Sequence, residues 1–309
     1  MRIFCLGAGA LGSLFAARVQ SAGGTPTLFG LNIDHVQAVA EHGLRMTEMD
    51  GTETVHHIQV CRSLQEISSA PDVVLVLVKA YATQQAVADL IPFCHQQTVF
   101  VTLQNGMGNW ENIAHFVPRE RILAGVTAQA ATMLEPGHIR HGGNGPTIIG
   151  PVQSPPPKHL NPLVSIFKAG GLDCRSTEDV FRHIWAKLFV NIGINAITAL
   201  SGVPNGWIAE FAPARSVAQA AVREAMQVAR ARGVTPEEDT VDRVMDVAQA
   251  TAVNRSSMLQ DVCKQVPTEI EAINGIICRW GRESQVPTPV NSTLYHLIQT
   301  IEHRHAQHA

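Results

Sequence analysis

Lys187, Asn191 and Asn195 stand four residues apart in the otherwise apolar run 184–195. On an α-helix, residues i, i+4 and i+8 drift slowly around the axis, so the three would form one polar stripe about 12 Å long. Leu188, Phe189, Val190, Ile192 and Ile194 surround it, so the helix is expected to be buried and its stripe to face polar partners or a ligand. Desolvation lowers the pKa of such a lysine towards neutrality, which suits a proton donor. The plainer alternative is a snorkelling lysine, with two asparagines bonded to nearby backbone.

A second candidate site opens the chain. Arg2 to Leu6 reads as a strand, followed by Gly7-Ala8-Gly9-Ala10-Leu11-Gly12 and a helical run from Leu14 to Ala22. Strand, glycine turn and helix are the context in which this spacing binds a dinucleotide. Gly7 would permit the tight turn, Gly9 the approach of a pyrophosphate, and Gly12 close helix packing. The helix N-terminus would then offer free N–H groups and a positive dipole end. The second strand, Thr25 to Phe29, is followed by Gly30 and Leu31, with Asp34 later. An acidic residue there selects NAD and a nearby arginine NADP, so the sequence leaves both open.

Two further polar groups follow apolar strand-like runs. Lys79 follows the run 72–78, and Asn105 with Gly106-Met107-Gly108 follows the run 98–103. Ligands of open α/β sheets sit at such carboxyl ends; for Asn105 the alternative is a plain Asn-Gly turn. Further strands are expected at 44–49, 54–61, 121–131, 138–141 and 147–150, with turns at Pro136-Gly137 and Gly142-Gly143-Asn144-Gly145. After about residue 176 the alternation of β and α gives way to successive helices. The fold class is therefore α/β: a Rossmann domain over 1–176, then an all-helical domain over 177–309. Ser176 with Asp179 is expected to cap the helix of Lys187, and Thr268 with Glu271 a later one, each as a capping box. Pro236 is expected to start a helix running to Asn254. Glu269 falls in a first helical turn, where the dipole favours its ionised form.

Composition narrows the function. The chain has 309 residues, 45% hydrophobic and 16% charged, with net charge −3. That fits a folded protein with a sizeable core and gives no basic surface for nucleic acid or anionic membrane. The six cysteines form no CxxC pair, which points to reduced thiols in a cytoplasmic protein and to no metal site. The first apolar run is too quickly broken for a signal peptide, and no uninterrupted apolar run is long enough to span a membrane. His303, His305 and His308 are expected in a solvated, disordered tail.

Taken together, Gly7 to Gly12, Lys79, Asn105-Gly106-Met107-Gly108, Trp185-Ala186-Lys187-Leu188 with Asn191 and Asn195, Pro204-Asn205-Gly206, Ser256-Ser257-Met258-Leu259-Gln260-Asp261 and Thr268-Glu269-Ile270 resemble the ketopantoate reductase (2-dehydropantoate 2-reductase) family, in order and over nearly the whole chain. The resemblance implies an active site in a cleft between the two domains. It implies Lys187 as general acid, with Glu269 beside it and the cofactor. It also implies Asn105, Asn191, Asn195, Asn205, Asn254 and Ser257 as substrate-binding residues. Gly7, Ala8, Gly9, Ala10, Leu11, Gly12, Lys79, Asn105, Ala131 and Glu269 would hold NADP, with NAD also open. The reaction implied is NADPH-dependent reduction of 2-dehydropantoate to pantoate, in pantothenate and coenzyme A biosynthesis. The alternatives are another branched 2-keto acid on the same scaffold, or a non-catalytic NAD(P)-binding sensor. A homodimer is a possible assembly. Two departures stand out. Leu31 occupies the place of the family's usual arginine, and Thr127-Ala128-Gln129 replaces Thr-Thr-His.

Overall fold

The computed structural model describes residues 1–307. Its contacts divide the chain into two units, Met1–Gln104 with Asn109–Val180, and Asn105–Gly108 with Phe181–Ala309. The chain thus crosses from one unit to the other at 104/105, 108/109 and 180/181.

The first unit contains, in order, β1 (Arg2–Leu6), α1 (Ala10–Ser21), β2 (Thr25–Phe29), α2 (Ile33–His42), β3 (Leu44–Thr47), β4 (Glu53–His56), β5 (Gln59–Cys61), β6 (Val73–Val76), α3 (Thr83–Leu90), β7 (Val99–Thr102), α4 (Asn109–Ala114), β8 (Ile122–Glu135), β9 (His138–Pro151), α5 (Leu160–Ala169) and β10 (Cys174–Ser176). Among the described residues they make one ten-stranded sheet, β4-β3-β9-β8-β7-β6-β1-β2-β5, with β10 on β9. The strands β5, β2, β1, β6, β7 and β8 are parallel neighbours. The central β1, β6 and β7 are apolar and buried, as strands covered on both faces must be. One face packs Leu14, Phe15 and Val19 of α1 with Phe167 of α5; the other packs Phe4, Val74, Val76 and Phe100 with Val87 and Ile113. The edge strands β4 and β5 are separated by only two residues. The sheet therefore curls round α1, which touches β1, β2, β3, β4, β8 and β9.

The second unit is helical: α6 (Val180–Ser201), α7 (Gly206–Glu210), α8 (Ala212–Ala231), α9 (Thr240–Ala250), α10 (Ser257–Cys263), a π-helical turn (Glu271–Gly275), α11 (Ile276–Glu283) and α12 (Pro289–Gln307). By length and a mean hydropathy of 1.4, α6 could cross a membrane, yet most of it is buried inside the protein. At Gly193, α6 comes so close to Val222 of α8 and Val244 of α9 that a Cβ would lie 3.1 and 2.6 Å from their methyls. Trp185 packs on Phe189 and Trp280, each at 5.6 Å between ring centres. The Arg232 guanidinium covers Trp280 at 4.2 Å. These contacts fix which way the polar stripe of α6 faces.

Several expectations are corrected. The sequence Gly142-Gly143-Asn144-Gly145 makes no turn; it runs inside β9, paired with β8 through register shifts. Gln129 donates from Nε2 to Asn144 Oδ1 (2.8 Å) and Gly145 O (2.5 Å), which stabilises that glycine-rich strand. Ser176 belongs to β10, and Thr177 Oγ1 accepts from Asp179 N ahead of α6. Thr268 Oγ1 accepts from Ile270 N, while Glu271 is bonded by Tyr295, so no reciprocal capping box forms. Pro236 precedes α9 by four residues, and α9 ends at Ala250. His303 and His305 lie in α12 rather than a disordered tail; His308 lies outside the described residues.

Candidate active site

The glycine turn is built as its spacing requires. Gly7 has φ +125°, and a Cβ there would lie 2.6 Å from the Leu77 carbonyl carbon. A Cβ on Gly12 would overlap the Gly7 carbonyl oxygen. A Cβ on Gly9, by contrast, would meet nothing within 4 Å. Gly9 caps α1 without a side-chain bond, so the first N–H groups of the helix are offered by backbone alone. Two glycines are thus demanded by packing, whereas Gly9 keeps open the place where a pyrophosphate would approach. The residues present fit a dinucleotide. Ala8 is buried and touches the position of Gly30, where a Cβ would lie 2.6 Å from Ala8 N. Ala10 and Leu11 begin α1. Lys79 follows β6 and opens a short 3-10 turn. Ala131 lies in β8 opposite His141.

Lys187, Asn191 and Asn195 all lie on α6. Burial lowers the Lys187 ammonium from 10.5 to about 8, and the Glu269 carboxylate pulls it the other way. A lysine so placed is part charged and part neutral near physiological pH, the condition for moving a proton. Asn191 Nδ2 is buried with no hydrogen-bond partner among the described residues. Asn195 is 6% exposed. A buried amide donor without a partner is costly unless a ligand supplies one.

Glu269 is 7% exposed and accepts a 3.2 Å hydrogen bond from Asn105 Nδ2. The loop that carries Asn105 docks by its backbone: Met107 N donates to Ala272 O at 2.9 Å. Gly106 has φ +82°, and a Cβ there would overlap Ala272. Ala272 belongs to the π-helical turn, and such turns recur at functional sites. Asn274 in the same turn is fully buried and donates to Asn291 Oδ1 at 3.0 Å. The sequence marks Asn105 and Glu269 but not Ala272, whose carbonyl oxygen accepts from Met107 N and so holds the Asn105 loop. A π turn leaves no simple periodic signal, since it inserts one residue into a helical pattern.

The remaining asparagines divide. Asn205 is 8% exposed, donates to Thr251 Oγ1 at 3.0 Å, and keeps a buried Oδ1 without a partner. Its backbone N donates to Asn254 O at 2.9 Å. Asn254 and Ser257 are exposed. Ser257 opens α10, whose cap is Ser256; Ser256 Oγ accepts from Leu259 N and bonds Thr198 Oγ1 of α6 at 2.8 Å. The structure therefore brings Asn105 to Glu269, sets Lys187 within its electrostatic reach, and ties the Ser257 turn to α6 one helical turn beyond Asn195.

A Rossmann glycine turn in one unit and a desolvated lysine with a buried glutamate in the other define an NAD(P)H-dependent oxidoreductase. The family model for the ketopantoate reductase family (PanE/ApbA) matches residues 3–154, and the model for that family's C-terminal domain matches 179–302. The chain belongs to the ketopantoate reductase family. It is 37% identical to a 2-dehydropantoate 2-reductase of Halobacterium salinarum, covering 97% of this chain and 98% of that protein. The crystal structure of a PanE/ApbA family ketopantoate reductase from Ralstonia eutropha superposes with TM-score 0.91 at 29% identity, over 99% of this chain and 100% of that one. The ternary structure of D-mandelate dehydrogenase with NADH and anilino(oxo)acetate gives TM-score 0.92 at 25% identity, over the same shares of the two chains.

Proposed function

We propose that the protein reduces 2-dehydropantoate to pantoate with NADPH, with Lys187 as the proton donor. The observation that carries this reading is the lysine itself, held near 8 by burial against the pull of Glu269. When bound, the nicotinamide supplies a hydride to the carbonyl carbon. Everything else falls to the chain. The developing alkoxide needs a cation within hydrogen-bond reach, and charged Lys187 donates its proton there. Asn191 Nδ2 and Asn205 Oδ1, buried and unpartnered among the described residues, suit a substrate with a carboxylate and a hydroxyl. Asn195, Asn254 and Ser257 complete that set, and Asn105 orients Glu269. Residues 1–176 hold the cofactor and residues 177–309 the substrate.

The test follows cofactor absorbance with ketopantoate, running NADPH and NADH side by side. Oxidation of NADPH is expected. In Lys187→Ala, turnover should fall by about three orders of magnitude or more, while cofactor binding survives. Near-normal turnover in that variant would remove Lys187 from the mechanism. The likeness to a D-mandelate dehydrogenase that holds NADH with a bulky keto-acid analogue favours one second reading, the same chemistry on another 2-keto acid. A panel of bulky 2-keto acids decides between them by kcat/KM.

A further inference from the structure

The carboxyl end of β2 carries no cation of its own: Gly30 and Leu31 follow it, and Asn32 caps α2 by accepting from His35 N. A 2′-phosphate bound beside this strand needs positive charge from a neighbour. β2 has two paired neighbours. β1 is followed by Gly7. β5 runs parallel to β2 with Phe29 opposite Cys61, and the residue after Cys61 is Arg62. Arg62 is thus the first residue past β5, as Gly30 is past β2, at the end of the sheet where ligands of such folds bind. Arg62 is exposed, and among the described residues its guanidinium makes no hydrogen bond or ion pair. Its backbone N donates to Glu66 Oε2 at 2.9 Å, so the nearby carboxylate is engaged with main chain. Leu31 and Ile33 on the same edge are 89% and 73% exposed. Two bare aliphatics and a guanidinium at the same end of the sheet suit a phosphorylated adenosine: apolar contact for the base, a planar fork for the phosphate.

We infer that Arg62, delivered by β5, binds the 2′-phosphate of NADP(H), the work done elsewhere in the family by an arginine after β2. This rests on the proposed NADPH-dependent reading, and its test needs no turnover. The whole protein is titrated calorimetrically with 2′,5′-ADP and with 5′-AMP, fragments that differ only in the 2′-phosphate. The wild type should bind 2′,5′-ADP about tenfold or more tightly than 5′-AMP. Arg62→Ala should bring the two within about twofold by weakening 2′,5′-ADP alone, and Arg62→Lys should keep part of the preference. In turnover, Arg62→Ala should raise KM for NADPH and leave that for NADH and both kcat values unchanged. A preference that survives Arg62→Ala, or a wild type that favours 5′-AMP, overturns the inference. Absence of any binding overturns it together with the dinucleotide reading. If ketopantoate is not reduced but the preference is present and lost in Arg62→Ala, Arg62 stands and only the substrate falls.

Discussion

At the residue scale, activity turns on one proton. Burial lowers the Lys187 ammonium to about 8 and Glu269 opposes that shift. Reduction requires the charged form, so kcat for keto-acid reduction should be flat below that value and fall as pH rises through about 8. The reverse oxidation requires the neutral amine and should rise through the same range. Removing the opposing charge with Glu269→Gln leaves desolvation alone, so the limb should move to lower pH. A pH–rate profile of wild type and variant checks both signs; a limb that moves upward would mean that Glu269 acts on the rate by some route other than the lysine's charge. The stripe of Lys187, Asn191 and Asn195 was legible because helical spacing is geometric. The apolar surround also announces a buried lysine; its net shift to about 8 and the unpartnered amide of Asn191 are not readable, because they depend on what packs against α6.

At the scale of elements, the site depends on how closely α6 approaches its neighbours. A Cβ at Gly193 would lie 2.6 Å from a Val244 methyl and 3.1 Å from a Val222 methyl. Gly193→Val should therefore overpack the contact with α8 and α9 and cost about 1–3 kcal/mol, read as a lower urea midpoint at unchanged m. An unchanged midpoint would show that α6 can shift freely at that point. The strands and helices of the first unit were readable from apolar runs and glycines. Gly142-Gly143-Asn144-Gly145 has the composition of a turn, yet it runs inside the bulged strand β9, where only Gly145 is crowded: a Cβ there would lie 2.6 Å from Ala128 Cβ. The cap ahead of α6 was misplaced by one residue, because Ser176 is taken by pairing with Ile149. The π-helical turn was invisible for a different reason: Thr268 and Glu271 have the spacing of a capping box, yet Glu271 is drawn to Tyr295 in α12.

At the scale of the molecule, the chain leaves the first unit after Gln104, contributes Asn105–Gly108 to the second, and returns at Asn109. The short loop is thus anchored at both ends by β7 and α4 while its Met107 N–H serves Ala272 O. Unfolding the first unit releases both anchors and loosens the loop's bonds from Met107 N to Ala272 O and from Asn105 Nδ2 to the Glu269 carboxylate. Such hydrogen bonds contribute about 0.5–1.5 kcal/mol each, more to a charged acceptor, and their loss opposes independent melting. The two units should therefore unfold together. A ligand that binds the native state alone raises stability by about 2.7 kcal/mol at a hundred times its Kd. NADP⁺ at that excess should raise the midpoint of one common calorimetric transition by several degrees, with calorimetric and van't Hoff enthalpies in agreement. Two resolved transitions, of which NADP⁺ moves only one, would mean that four residues of shared loop are too little to bind the stability of the helical unit to that of the sheet.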